Sequence, residues 1–415
     1  MMNFTKHVLL LAVLLITYSA KGQSWAQKTD MTEGREGAVC FSLNGKVYWG
    51  GGTATYQADA KADFYEYDPA TDQWKQLGNM PEERLYGIAF TINGKGYVGL
   101  GKQSGGGFSN YLQTLYEYDP GTDKWSQKAS MPAPYGLVSC AVFVVNNKAY
   151  VLGGTNANSA SYGTLYEYDP GSDQWATKAP YPLTIQGNNW IRQPMTFGIG
   201  NKGYVIAGEI RAAAGLGSQF TKKCFEYDPT SDTWTPIADY MGDGRAAGNA
   251  FSINGMGFCG LGYQKDPSFN TTYYKDVYVY NPNTDQWVSG GDFPGDARVL
   301  ASSTVIGNKG YVGGGSRHQT GYYKDWHELT IPTAISNHTK DDAITLYPNP
   351  AKDAVHLDGD VQFSDYRLYN ITGKLIKEGM IKSNLISIDG IATGSYIIKL
   401  TGDEGSYSRL LQIQE

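Results

Sequence analysis

Residues 63–74 read DFYEYDPATDQW, and the chain writes nearly the same phrase four more times: TLYEYDPGTDKW at 114–125, TLYEYDPGSDQW at 164–175, KCFEYDPTSDTW at 223–234 and DVYVYNPNTDQW at 276–287. Each copy alternates apolar and polar residues, turns through Asp-Pro or Asn-Pro, and ends on a tryptophan, as two short antiparallel strands joined by a tight turn would. With Trp25 in SWAQKTDM, the tryptophans recur at intervals near fifty residues. That period means propeller blades or solenoid units, because one such unit cannot bury its apolar face alone.

A second hairpin precedes each copy. Between Gly87 and Trp125, GIAFTI and KGYVGLG flank Asn93-Gly94, a two-residue turn signal, and glycines end the second strand where backbones crowd. One period is therefore four antiparallel strands. Complete sets lie near 35–80, 84–131, 135–181, 191–241 and 245–293, whereas the sixth, Arg298–Leu329, runs into Pro332 without a fourth strand. SWAQKTDM supplies it. The expected fold is all-β: a six-bladed propeller over 23–332, closed by an N-terminal strand, with no frayed sheet edge.

These marks resemble the kelch repeat family. A glycine pair follows the second strand at Gly51-Gly52, Gly153-Gly154 and Gly313-Gly314, loosens to Gly99-Leu100-Gly101 and Gly260-Leu261-Gly262, and breaks at Ala207-Gly208. Tyr67, Tyr118, Tyr168, Tyr227 and Tyr280 match the family's third-strand tyrosine. The resemblance implies a fold and leaves activity open.

Composition agrees. Of 415 residues 34 are basic and 40 acidic, a net charge of −6, which argues against a nucleic-acid partner. Lys6 and His7, the apolar run Val8–Ile16 and the small residues Ala20 and Gly22 mark residues 1–22 as a signal peptide. The run is too short to span a bilayer, and no other segment qualifies. Cys40, Cys140, Cys224 and Cys259 sit in apolar strands and read as buried thiols, with a Cys224–Cys259 bridge as the alternative. The recurring aspartate pairs of the turns fit side-chain-capped turns better than calcium loops, so no metal and no cofactor are expected.

After a polar linker, 333–343, residues 344–415 read as a small C-terminal β-sandwich. Tyr347-Pro348-Asn349-Pro350-Ala351, Gly373-Lys374-Leu375 and Gly394-Ser395-Tyr396 resemble the type A sorting domain of the type IX secretion system of Bacteroidetes. That resemblance implies passage across the outer membrane, an extracellular or outer-surface location, and the secretion machinery as a partner of residues 344–415.

Chemistry is expected on the face that carries the longer loops, around the central mouth. Arg35, Arg84, Arg192, Arg245 and Arg298 lead into five blades, with Tyr135 in the third, and the loop aromatics include Tyr86, Trp190, Tyr263 and Tyr273. Guanidinium groups gathered near the axis would draw in an anion; alternatively each bonds backbone carbonyls of the adjoining blade. Glu209, in VIAGEIRAAAGLG, takes the place of the pair's second glycine in this reading. That stretch resembles the kelch-fold sialic acid mutarotases, which implies Glu209 as acid/base. The arginine that family uses falls at Gly215 here, so Arg211 is the nearest substitute. Copper ligands, sialidase boxes and a serine–histidine–acid set are missing; the propeller segment holds only His318 and His327. The expected function is non-enzymatic binding of an acidic glycan or an extracellular peptide or protein at the mouth, the alternative a mutarotase with Glu209 and Arg211.

Overall fold

The computed structural model describes residues 24–55, 59–105, 110–133, 136–156, 162–183, 191–211, 218–317, 321–331, 345–358, 363–370, 375–381, 384–402 and 405–414. The chain divides into two compact units, Met1–Ile331 and Pro332–Glu415. The expected signal segment 1–22 and linker 333–343 lie outside the described residues.

The first unit is built of antiparallel sheets that follow the repeat. Glu36–Leu43, Lys46–Thr53, Phe64–Asp68 and Gln73–Gln76 form one in chain order, and Ile88–Ile92, Lys95–Gly99, Leu115–Asp119 and Lys124–Lys128 the next. Four more sheets repeat this order from Ala141, Met195, Asn249 and Ser302, giving six whose innermost strands neighbour one another in a closed cycle. The last is completed by Ser24–Lys28, which pairs antiparallel with Trp326–Thr330. No sheet edge is left at the seam, because the leftover tryptophan strand finds the one blade that lacks it.

A ring of backbone hydrogen bonds closes the axis. Gly37, Tyr86, Ser139, Gln193, Ala247 and Leu300 each precede an innermost strand or its first paired residues, and each donates its N–H to the carbonyl of its counterpart in the preceding blade, at 2.9–3.2 Å. All six have positive φ, between 50° and 63°, although only one is glycine. A second ladder runs outside the ring: the N–H groups of Gly52, Gly101, Gly154, Gly208, Gly262 and Gly315 donate to the carbonyls of Arg84, Leu137, Ile191, Arg245, Arg298 and Arg35. These six glycines have φ of 76–118°. A Cβ on Gly101 would sit 2.7 Å from the Leu85 carbonyl oxygen, and one on Gly315 2.5 Å from that of Val299. The second member of the pair is therefore the obligatory glycine, and Leu100, Ala207 and Leu261 tolerate the first position. In the sixth blade the pair is Gly314-Gly315 rather than Gly313-Gly314.

On the rim, the repeated phrase makes both the turn and the staple. Its first aspartate caps its own turn: Asp169 Oδ1 accepts the Gly171 N–H at 2.8 Å. The second reaches the neighbouring blade, and Asp173 Oδ1 accepts the Ala129 N–H at 3.0 Å and the Tyr168 hydroxyl at 2.7 Å. Trp175 Nε1 then donates to the Ala129 carbonyl at 2.8 Å. Thr29, Ala179 and Ala238 are held the same way by Asp72/Trp74, Asp232/Trp234 and Asp285/Trp287. The cysteines are free thiols, Cys224 and Cys259 buried and Cys40 and Cys140 half-buried.

The second unit has two antiparallel sheets, Thr345–Tyr347, Ala354–Asp358 and Leu385–Ser387 in one, and Leu375–Met380, Asp365–Asn370, Gly394–Gly402 and Gly405–Ile413 in the other. Val355, Ile386, Leu368, Ile398 and Leu411 from both sheets share its core.

The two aspartates of one turn should separate in stability measurements. Asp173→Ala strands a tyrosine hydroxyl and a backbone N–H, and is expected to cost about 2–4 kcal/mol in chemical denaturation. Asp169→Ala opens an exposed turn and removes a surface ion pair with Lys148 at 3.2 Å, worth less than about 1 kcal/mol, so the unfolding midpoint should move little.

Candidate functional site

Four of the five arginines do not meet at the mouth. Arg35, Arg84, Arg245 and Arg298 are 0–4% exposed, and each Nη1 donates to the carbonyl of the residue ahead of its blade's obligatory glycine: Gly51, Leu100, Leu261 and Gly314. Three are clamped bidentately by an aspartate at the start of the third strand: Asp63 at 2.5 and 2.6 Å, Asp325 at 2.6 and 2.8 Å, and Asp276. Aromatic faces cover them, with Arg245 3.8 Å from the Tyr274 ring centroid and Arg298 4.1 Å from that of Tyr323. In the second blade Thr114 stands where the aspartate would, and Arg84 turns to Glu82 at 3.2 Å. Burial draws the Arg84 guanidinium down to about 10 against the opposing pull of Glu82. For Arg35 and Arg245 burial pulls the same way, but the carboxylates outweigh it and raise them. These side chains brace blades, as the carbonyl-bonding alternative supposes, although each binds within its own blade.

The ladder shows why Arg192 differs. The equivalents of Arg35 in the third and fourth blades are Leu137 and Ile191, so Arg192 stands one residue further on, level with Glu36, Leu85, Val138, Ala246 and Val299. Glu209 likewise follows the obligatory Gly208 instead of replacing it, level with Thr53, Lys102, Thr155, Tyr263 and Ser316. These two rows face each other around the mouth.

There the second strand of the fourth blade, Lys202–Arg211, brings Glu209 beside Arg192. Glu209 is 2% exposed; its Oε2 accepts a hydrogen bond from Arg192 Nε at 2.5 Å and lies 2.5 Å from Arg192 Nη2 in an ion pair. The Tyr263 hydroxyl of the next blade donates to the same oxygen at 3.3 Å. Burial, then the charge of Glu209, raise the Tyr263 phenol. Phe220 meets the Tyr263 ring edge-on at 5.3 Å. Lys102, 8% exposed, adds a cation in the same row, lowered by burial. Inside the collar a cavity of about 160 Å³ is lined by Tyr86, Ser139, Cys140, Gln193 and Leu300. Below it, small residues such as Cys40, Ala89, Thr196 and Ser303 line a channel of about 450 Å³.

Sequence reasoning named Glu209 and Arg192 but paired the former with Arg211. Arg211 ends its strand opposite Ser218, and its side chain, with Tyr135 and Trp190, falls outside the described residues. Tyr263 was named only as an aromatic, and Lys102 and Glu36 were missed. Lys102 and Tyr263 stand directly after the obligatory glycines Gly101 and Gly262, and Glu36 directly after the ladder residue Arg35, so counting from that ladder would have found them.

Comparison with known proteins fits this architecture. The family described as the KLHDC2/KLHL20/DRC7 Kelch-repeats domain matches residues 11–187, and the secretion system C-terminal sorting domain matches residues 345–414. Kelch-like protein 25 of Xenopus tropicalis is 29% identical over 129 residues, 29% of this chain and 18% of that protein. N-acetylneuraminate epimerase of Shigella sonnei is 40% identical over 60 residues, 14% of this chain and 16% of that protein. The chain thus spans less than a fifth of the length of either curated relative. A solved structure titled "Structure of YjhT" superposes with a TM-score of 0.61 at 22% identity, over 74% of this chain and 98% of that one, which shows a shared fold. The chain has the fold of a kelch propeller, with the kelch-repeat match running over residues 11–187. It carries a type IX C-terminal sorting domain, which marks it for export to the cell surface or beyond.

Arg298 and Asp325 test the bracing role. Removing one partner of a buried pair leaves the other uncompensated, so Arg298→Ala should cost about 3–5 kcal/mol in urea unfolding without any ligand present. Burial works to raise the Asp325 carboxyl, but His327 and Arg298 outweigh it and hold it down to about 2. A carboxyl depressed in the folded state stabilises above its unfolded value near 4 and loses that contribution as pH falls toward 2. Asp325→Asn should therefore flatten the pH dependence of unfolding between about 4 and 2, in addition to weakening the fold at neutral pH.

Proposed function

We propose that this exported kelch propeller binds an acidic carbohydrate at its mouth. The observation that carries the reading is the Arg192–Glu209–Tyr263 cluster, a buried carboxylate and a partly exposed guanidinium set where no other blade needs them for bracing. Two of the three Arg192 nitrogens are engaged by Glu209, and the third is the donor a ligand carboxylate would meet. Tyr86, half-buried, lines the cavity beside this cluster with its aromatic ring.

A second reading, sugar mutarotation, is supported by the one-sided grip on Glu209. Among the described residues, the hydrogen bonds to this carboxylate fall on Oε2. Oε1 is then the atom to take the proton of an anomeric hydroxyl as the ring C–O bond breaks. The electron pair goes to the ring oxygen, which takes a proton from water; on reclosure on the other face the ring hydroxyl returns its proton to the hydroxide and Glu209 gives its proton back to the former carbonyl oxygen, leaving the second anomer and the free carboxylate. The stretch of similarity to an N-acetylneuraminate epimerase supports this chemistry for a related sugar.

Titration calorimetry with N-acetylneuraminate and neutral N-acetylmannosamine tests the first reading. The acid should bind more tightly, and Arg192→Ala should weaken it at least tenfold, about 1.4 kcal/mol. Undiminished binding by that variant would overturn the site. For the second reading, NMR should show faster anomer exchange of N-acetylneuraminate with the wild-type protein and none of that acceleration with Glu209→Gln; no acceleration by the wild type leaves binding alone.

A further inference from the structure

The second-to-third connection of the fifth blade is itself a hairpin, and it rises beside the candidate site. Tyr263–Lys265 pairs with Thr271–Tyr273, and residues 266–270 join them. Its base is fixed. Tyr263 bonds Glu209 and packs with Ala246, Ala247 and Val299, against which Phe220 and Leu300 rest. Its tip is fixed as well. Asp266 Oδ1 accepts the N–H groups of Ser268 and Asn270 at 2.8 and 2.9 Å, its Oδ2 accepts Asn270 Nδ2 at 2.8 Å, and its carbonyl accepts the Phe269 N–H at 2.9 Å. The three-residue strand between them sets the tip about 10 Å from the Tyr263 base.

Phe269 is the residue such a turn does not need. It is 77% exposed and sits at φ 64°. In the hairpin turns of the opposite face the left-handed positions go to Asn44, Asn93, Asn254, Asp72 and Asp123, types that enter this conformation readily, whereas phenylalanine adds strain. A ring left in solvent gains no burial to offset that strain, so neither the turn nor the core accounts for it. An apolar face held on a rigid turn is what a ligand can stack on without ordering anything first.

Polar side chains lead from the site to that ring. Lys265 and Thr272 are exposed along the hairpin, while the carboxylate of Asp266 is turned into its own loop. A carboxylate at Arg192 and a ring on Phe269 are too far apart to belong to one monosaccharide, and Lys265 offers a further cation between them. We propose that this hairpin extends the mouth site to hold an acidic polysaccharide chain, a polyuronate, with one residue stacked on Phe269 and the carboxylate of another at Arg192. The inference rests on the acidic-carbohydrate reading and narrows it from a single sugar to a chain with a carboxylate on successive residues.

Titration calorimetry of the full chain with galacturonate and its linear hexamer tests the extension. The wild type should bind the hexamer at least tenfold more tightly than the monomer. Phe269→Asn places in the left-handed turn a residue suited to it, so thermal unfolding should hold or improve while the hexamer's advantage is lost and monomer binding stays within about twofold. Phe269→Tyr, which keeps the ring, should retain that advantage. Lys265→Gln, which leaves the turn untouched, should weaken the hexamer about threefold and the monomer less than twofold. A hexamer bound no more tightly than the monomer, or an advantage that survives Phe269→Asn, overturns the extension, and Arg192-dependent binding of N-acetylneuraminate then leaves the broader reading standing. A hexamer that does not bind also overturns it, and failure of N-acetylneuraminate as well overturns both.

Discussion

Everything at the centre of this molecule hangs on the hydrogen-bonded ring formed by Gly37, Tyr86, Ser139, Gln193, Ala247 and Leu300. To enter it each residue must adopt a left-handed backbone, which costs a non-glycine residue about 1–2 kcal/mol. Five of the six accept that cost. What offsets it is that each N–H is buried against the axis with one carbonyl in reach, and an unmade bond there would cost comparably. The ring also fixes the mouth: the residues on either side of it fall at the same height in all six blades, so side-chain identity alone distinguishes one sector from another.

That equivalence divides the charged residues into two populations a few ångströms apart in height. One level down, arginines are spent on carbonyls and aspartates of their own blades and hold the second and third strands together. At the level of Glu36, Lys102, Arg192 and Glu209 the same backbone positions elsewhere hold leucine, valine, alanine, threonine, serine or tyrosine, so charge there has no repeated structural task. Function is therefore sought where the symmetry of the repeat is broken.

The fold was legible because hairpins are encoded locally. Strand alternation, Asn-Gly and Asp-Pro turns, and a tryptophan at each period require no knowledge of distant contacts, and the count of three-stranded and four-stranded sets revealed the missing partner of SWAQKTDM. The mouth was less legible. Its collar uses only backbone atoms, so its residues share no side-chain signature, and without that landmark Arg192 was aligned with Arg35 and Glu209 with a glycine, each one residue out. The bracing role of the arginines did have a signal: Asp63, Asp276 and Asp325 follow their arginines by 28, 31 and 27 residues. Tyr135 and Trp190 fall outside the described residues, and their roles rest on sequence alone.

The pairing of Ser24–Lys28 with Trp326–Thr330 gives the propeller an unusual timetable. Its first-made strand must wait for its last-made neighbour, a contact of nearly the greatest sequence separation the unit allows, and such contacts form late. Until then the chain is an open arc with two unsatisfied borders, liable to zip onto another copy. A polypeptide interrupted before its sixth repeat can never finish, so the ring vouches for its own completeness.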